Sequence, residues 1–136
     1  SLSSELRDDD FYSTYMNVPI IRADLPFESI DLRNQEYIIK IDVEGYEEEV
    51  LKGLTLMIIR DKPIIILEIL SPNIAFSKKV NIYRKERKTY IKQLLSDIGY
   101  QVHNILSDGR IDGAAAPTMD YICFHESSKK RSLFYS

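Results

Sequence analysis

One seven-residue segment, 37–43, constrains the fold more than any other part of this chain. It reads Tyr-Ile-Ile-Lys-Ile-Asp-Val, a nearly continuous apolar run rich in isoleucine. Runs of this kind are typical of strands that are covered on both faces, and such strands belong to parallel sheets. Gly45 then breaks the run, and a helical pattern follows over 46–60. The segment therefore predicts a buried strand that leads into a crossover helix.

The rest of the chain repeats this alternation of strand and helix. The helix over 46–60 has one apolar face, formed by Val50, Leu51, Leu54, Met57 and Ile58. Later segments predict a second buried strand at 64–69, a helix over 80–98 that ends at Gly99, a third strand at 100–106, a loop at 107–117 and a last strand at 120–125. An N-terminal arm and connection (1–36) precede these elements, and a polar tail (127–136) follows them. We predict a single α/β domain over 1–126.

Composition excludes several classes of protein. The chain has 136 residues, of which 44% are hydrophobic and 29% are charged, so a disordered or collagen-like chain is excluded. The formal net charge of −3 provides no overall positive field to attract nucleic acid or anionic lipid. One cysteine cannot form an internal disulfide, and no apolar run is long enough to span a membrane. We therefore expect a soluble, cytoplasmic domain without a nucleic-acid partner.

The most specific motif covers the first strand, the helix and the second strand. Ile39-Lys40-Ile41-Asp42-Val43-Glu44-Gly45 is followed by Glu47-Glu48-Glu49-Val50-Leu51-Lys52-Gly53, and then by Lys62-Pro63-Ile64-Ile65-Ile66-Leu67-Glu68-Ile69. Together these strings closely resemble the FkbM-type family of S-adenosylmethionine-dependent methyltransferases. The resemblance is strongest over 38–69, moderate over 90–105, and extends over about 18–125.

The resemblance implies a Rossmann-like class I methyltransferase sheet. The implied strand order is 37–43, 63–69, 120–125 and 100–106, with 120–125 antiparallel to its neighbours. The implied activity is O-methylation of a hydroxyl on a sugar, lipid or secondary metabolite, with S-adenosylmethionine as the cofactor. The family's Gly-rich cofactor loop lies in its first half, and no Gly-x-Gly occurs in this chain. The chain therefore resembles the C-terminal half of the domain, and we expect the isolated chain to be incomplete and inactive.

The candidate site lies where the first two predicted strands end. Ligands of open α/β sheets bind beyond the carboxyl ends of the strands. The predicted cofactor-binding residues there are Asp42, Val43, Glu44 and Gly45. Asp42 and Glu44 are also the candidate catalytic residues, because a carboxylate can take a proton from the methyl acceptor, orient it, or face the positive sulfonium. Glu68 and Lys40 are the candidate substrate-binding residues.

Structural roles stay open for these charged residues. Asp42 and Glu44 point the same way from the strand and could simply cap the following helix. Lys40 lies inside an apolar run, where an ion pair with Glu68 or another carboxylate is the main alternative to a role in catalysis. The spacing of Asp42, Glu44 and Glu48 is compatible with a metal site, but no histidine or ligand loop supports one. We therefore expect no metal.

Other residue types that often carry chemistry have structural interpretations. His103 and His125 are predicted to be strand histidines, and Cys123 a small buried residue. The basic stretch 78–88 is interpreted as a solvated helix face, although the resemblance implies that the region after the second strand borders the acceptor pocket. The three glutamates at 47–49 occupy the first turn of their helix, where the helix dipole favours negative charge.

Two functions from different classes remain open. The first is a methyltransferase, and the second is a non-catalytic structural or interaction half-domain that kept the sheet without the cofactor loop. A flavodoxin-like or receiver-like module fits less well, because the loop that such folds need after an early strand is missing. In a half-domain, the edge at 38–41 would leave backbone groups unpaired. We expect either the 18–23 segment or a second copy of the chain to cover that edge, the latter forming a homodimer.

Overall fold

A computed structural model describes residues 35–112 and 118–129, together with residues 19, 21–22, 25–27, 30 and 32. Within these residues the chain forms a short 3-10 turn (Leu25–Phe27), five strands and two α-helices. In chain order these are β1 (Ile38–Ile41), α1 (Glu47–Asp61), β2 (Ile64–Glu68), α2 (Lys78–Asp97), β3 (Tyr100–Ile105), β4 (Ile111–Asp112) and β5 (Asp120–His125). The predicted α/β class is confirmed.

The strands form one mixed sheet in the order β1-β2-β5-β3-β4. β1 and β2 are parallel, as expected for two strands joined by a crossover helix. β5 lies between β2 and β3 and runs antiparallel to both. The predicted order of the four longer strands is therefore confirmed, including the antiparallel insertion of the last strand between its neighbours.

The prediction of a loop over 107–117 is wrong at residues 111 and 112. Ile111 and Asp112 form β4, which pairs with Asn104 and Ile105 at the end of β3. Gly109 turns the chain between the two strands with a φ of 82°. A strand of two residues is too short to show an alternating pattern, so the hairpin has no signal in the hydrophobic periodicity. Residues 113–117 of the predicted loop lie outside the described residues.

Both helices pack on one face of the sheet. The apolar face predicted for α1 supplies Leu51, Leu54, Met57 and Ile58, and α2 adds Ile91 and Leu95. They cover Ile41, Ile65, Leu67, Ile69, Tyr121 and Cys123 from three neighbouring strands. Successive side chains of a strand point to opposite faces, so a second cluster, built on Ile64, Ile122 and Phe124, lies on the other face. Burial on both faces thus explains the apolar run of β2, in which the successive residues Ile64 and Ile65 are both buried. The same expectation is wrong for β1, where Ile41 is buried but Ile38 and Lys40 are exposed.

The helix ends follow from local chemistry. Both helices deviate slightly from the predicted bounds, with α1 one residue later at each end and α2 two residues earlier at its start. α2 begins there because the Ser77 hydroxyl accepts a hydrogen bond from the Val80 N–H at 3.3 Å. α1 ends where Lys62 adopts a left-handed φ of 52° before Pro63. α2 is followed by Gly99 with a φ of 83°, as predicted for its terminating glycine.

β1 lies at one end of the sheet and, within the described residues, pairs with β2 alone. Ile38 at its start is exposed. Half of the 18–23 segment (residues 18, 20 and 23) lies outside the described residues. Cover of this edge, by that segment or by a second copy of the chain, therefore stays a prediction. Among the described residues, neither helix has the length and apolarity that a membrane crossing requires.

Candidate functional site

Three strand ends meet at the carboxyl edge of β1 and β2. Asp42 directly follows β1, and Glu68 is the last residue of β2. β5 runs antiparallel to β2, so its first residue, Asp120, lies at the same edge and pairs directly with Glu68. The structure therefore brings together two of the predicted site residues and adds a third carboxylate.

These carboxylates lie on the face of the sheet opposite the helices. Lys40 pairs with Ile66, whose side chain belongs to the second apolar cluster. Two residues further along each strand the side chain returns to the same face, which places Asp42 beside Glu68. Directly paired residues of antiparallel strands also share a face, so Asp120 joins them.

Lys40 forms an ion pair with Asp42. Its Nζ donates to Oδ2 of Asp42 at 2.7 Å, and both side chains are largely exposed. This hydrogen bond and the lysine charge lower the pKa of Asp42, and the same contact raises the pKa of Lys40. The ion pair that was the structural alternative for Lys40 is thus present, with Asp42 rather than Glu68 as its partner.

Glu68 has the opposite electrostatic environment. Burial is the main cause that raises its pKa, and the negative charges of Asp42, Asp120 and Glu44 act in the same direction. Its interaction with the Asp42 side chain makes a smaller contribution, which raises the pKa of Glu68 and lowers that of Asp42. Two neighbouring carboxyl groups therefore have pKa values shifted in opposite directions, a pattern that separates acid and base roles.

The turn after β1 places Glu44 in an uncommon conformation. Glu44 has a φ of 54° and Gly45 a φ of 104°. Left-handed geometry is free for glycine but disfavoured for a residue with a Cβ. The turn is closed by a hydrogen bond from the Tyr46 N–H to the Val43 carbonyl at 3.4 Å. Backbone strain of this kind persists only where neighbouring structure holds it in place.

Glu47 provides part of that support and was not identified from the sequence. Its side chain is 1% exposed, and its Oε1 accepts a hydrogen bond from the Gly45 N–H at 2.8 Å. Burial raises the pKa of Glu47, while the Gly45 hydrogen bond and the charge of Arg87 oppose that rise. Sequence reasoning treated the three glutamates at 47–49 alike, because all three satisfy the helix dipole.

Asp120 was also missed, although a signal for it existed. The resemblance placed the 120–125 strand antiparallel next to the 63–69 strand. That arrangement alone puts the beginning of one strand beside the end of the other. Asp120 and Glu68 were therefore predictable neighbours.

The interpretation of 78–88 as a solvated helix face is wrong for part of the stretch. The Arg84 side chain is 6% exposed. Its guanidinium donates to the Ser71 carbonyl at 3.2 Å and stacks on the Phe76 ring at 3.9 Å. Arg87 is directed toward the start of α1, where it pairs with Glu48 and Glu49. An arginine on the inward face of a helix can be buried when carbonyls and carboxylates of neighbouring elements lie within its reach.

The remaining predicted residues lie away from the carboxylates. His103 is buried in β3 and His125 lies at the end of β5, as predicted. Cys123 is fully buried, which raises the pKa of its thiol. Among the described residues, no three histidine, cysteine or acidic side chains are arranged to hold a metal ion. A cleft of about 450 Å³ near Tyr37, Asp61 and Lys62 lies at the opposite end of the sheet and contains none of the predicted site residues.

The four predicted cofactor residues differ in what they can present to a ligand. Val43 packs against the core, and Gly45 is buried with its N–H bound to Glu47. Asp42 and Glu44 are exposed. Exposed carboxylates fit both a positively charged sulfonium and hydroxyl groups, so Asp42 and Glu44 are the residues that could hold the charged part of S-adenosylmethionine.

Comparison with known proteins gives one match. The family model for the methyltransferase FkbM domain matches residues 1–102, which include β1, α1, β2 and α2. No curated protein and no solved structure gives a significant match.

Proposed function

Because the chain belongs to the FkbM methyltransferase family, we propose that it is part of an S-adenosylmethionine-dependent O-methyltransferase. Its acceptor would be a hydroxyl on a sugar, a lipid or a secondary metabolite. In this proposal the chain is the C-terminal half of a Rossmann-like domain. The observation that carries it is the group formed by Lys40, Asp42, Glu68 and Asp120 at the carboxyl edge of the sheet, where open α/β folds bind their ligands.

The charges suggest how the chain would handle an acceptor hydroxyl. S-adenosylmethionine, when bound, supplies the methyl group. Lys40 keeps Asp42 ionised, so Asp42 can accept a hydrogen bond from the hydroxyl and orient it. Glu68 has the higher pKa of the two and is therefore better matched to remove a proton near neutral pH. Glu44, exposed at the turn, is the further carboxylate available to a positive charge.

A non-catalytic half-domain is the second candidate. The sequence contains no Gly-x-Gly that could serve as the cofactor loop. This observation favours a structural or interaction role for the 136 residues taken by themselves. The two candidates differ in one measurable property, which is methyl transfer by the complete protein.

The test replaces Asp42 by asparagine in the complete protein. We expect Asp42→Asn to lower turnover by about 10²-fold, because the variant loses the carboxylate that orients the acceptor hydroxyl. Its midpoint of thermal unfolding should change little, because Asp42 is exposed. Asp108→Asn is the matched control, since Asp108 is an exposed aspartate bonded to Arg110 in the turn before β4. Unchanged turnover in Asp42→Asn would place Asp42 among the structural residues.

A further inference from the structure

The turn at Glu44 and Gly45 leads into α1 without the usual N-cap hydrogen bond. Tyr46 occupies the N-cap position, and its side chain makes no capping hydrogen bond. The first backbone N–H groups of a helix require acceptors, and a serine, threonine or aspartate cap normally provides one. Glu47 does not replace that cap, because its carboxylate accepts a hydrogen bond from the N–H of Gly45, the residue before the N-cap. The bond therefore ties the first residue of α1 to the turn.

The helix dipole does not account for the position of Glu47. Glu48 and Glu49 lie in the same first turn and satisfy the dipole while reaching solvent. Glu47 instead buries its carboxylate, which is unfavourable without compensating partners. The Gly45 N–H is one such partner.

Arg87 supplies the compensating charge. Its guanidinium lies at the start of α1, paired with Glu48 at 3.3 Å and with Glu49. Gly45, Glu47 and Arg87 line one cavity of about 10 Å³ beneath the turn. That volume holds at most about one water molecule, so the groups have little room to rearrange.

We propose that Glu47 is a positioning residue, which holds the Glu44–Gly45 turn in its left-handed conformation and so fixes the direction of the Glu44 carboxylate. Its effect on methyl transfer rests on the proposed function, whereas its hold on the turn does not. The carboxylate acts through its hydrogen bond to Gly45, so an amide oxygen at the same place can substitute for it. This predicts rescue by glutamine and failure of alanine.

The experiment measures three quantities on the complete protein: the rate of amide hydrogen exchange at Gly45 by NMR, kcat and KM. Glu47→Ala removes the acceptor and is expected to accelerate Gly45 exchange at least tenfold and to lower kcat. Glu47→Gln keeps the acceptor oxygen, so its Gly45 exchange rate and its kcat should remain within about threefold of those of the unaltered chain. Glu49→Ala, which removes a first-turn charge and an Arg87 contact but not the Gly45 bond, is the control and should leave Gly45 exchange unchanged.

The outcomes separate this inference from the proposed function. Unchanged Gly45 exchange in Glu47→Ala overturns the positioning role, even if the complete protein transfers methyl groups. Two results together would support the positioning role and overturn the proposed function. These are accelerated Gly45 exchange in Glu47→Ala and no methyl transfer by the unaltered complete protein. If Glu47→Ala fails to fold, Glu47→Asp keeps the charge but shortens its reach, and the same acceleration at Gly45 is expected. Equal exchange in Glu47→Asp and Glu47→Gln would then overturn the role.

Discussion

The ammonium group of Lys40 lies 2.7 Å from Oδ2 of Asp42, two residues further along the same face of the sheet. This pair keeps Asp42 ionised and leaves Glu68, on the neighbouring strand, as the carboxyl with the raised pKa. A site with one carboxyl group of lowered pKa and one of raised pKa fits the proposed roles, in which the first orients a hydroxyl and the second removes its proton. Lys40 is therefore the main cause of the lowered pKa of Asp42, whereas burial is the main cause of the raised pKa of Glu68.

Replacement of Lys40 tests this relationship directly. Lys40→Gln removes the main cause of the lowered pKa of Asp42, so we expect that pKa to rise toward its ordinary value. Carboxyl-detected NMR titration measures the change. Lys52→Gln is the control, because Lys52 makes an equivalent exposed pair with Glu48 on α1. An Asp42 titration curve that is the same with and without Lys40 would contradict the assignment.

The raised pKa of Glu68 has a consequence for stability. Because its pKa in the folded chain lies above the ordinary value of 4.5, the folded chain binds this proton more tightly than the unfolded chain. That contribution is fully present below the unfolded pKa and is lost as the pH rises through the folded pKa.

Glu68→Gln cannot ionise, so it should gain thermal stability relative to the unaltered chain as the pH rises from about 4 to 7. Thermal unfolding of both proteins across this range provides the measurement, and Glu86→Gln, at an exposed site on α2, is the control. A stability difference that does not vary with pH would show that Glu68 titrates normally.

Gly99 and Gly109 have nearly the same φ but different surroundings. Replacing each by alanine therefore distinguishes the cost of backbone strain from the cost of a steric clash. Gly99 has a φ of 83° and Gly109 a φ of 82°. A Cβ at Gly99 would meet Nε2 of His125 at 2.9 Å, whereas a Cβ at Gly109 would meet nothing within 4 Å. Gly109→Ala should cost about 1 kcal/mol of unfolding free energy from the left-handed backbone alone.

Gly99→Ala should cost about 1–3 kcal/mol more, since it also displaces the His125 ring. Denaturant unfolding of the two variants measures the difference. Equal destabilisation would mean that His125 moves aside without cost, and the contact at the end of β5 would then be of little importance for stability.

Cofactor affinity of the isolated 136-residue chain is the fourth prediction. No Gly-x-Gly is present to cradle the cofactor, and the Gly45 N–H is already bound to Glu47. We therefore expect calorimetry with S-adenosylmethionine to detect weak binding or none. Micromolar affinity would show that the residues at the carboxyl edge suffice for binding.

The amino-acid sequence by itself determined the larger features of this protein. The isoleucine-rich segments at 37–43 and 64–69 predict parallel strands, and β1 and β2 are parallel. Burial on both faces holds for β2, whereas Ile38 of β1 is exposed. Two further features are local patterns that the structure confirms. The apolar face of α1 packs in the core, and Gly99 follows α2 with a positive φ. The motif from Ile39 to Gly45 is likewise local in sequence. For the same reason the family could be identified from short strings of residues.

The tertiary structure alone decided the environment of individual charged side chains. Glu47, Glu48 and Glu49 are the same residue type in one helical turn, yet only Glu47 is buried. Arg84 belongs to a stretch that is basic throughout, and its burial depends on the Ser71 carbonyl and the Phe76 ring of the preceding loop. A carboxylate or guanidinium is buried only where partners from other elements compensate its charge. Those partners are distant in sequence, so periodicity and composition carry no information about them.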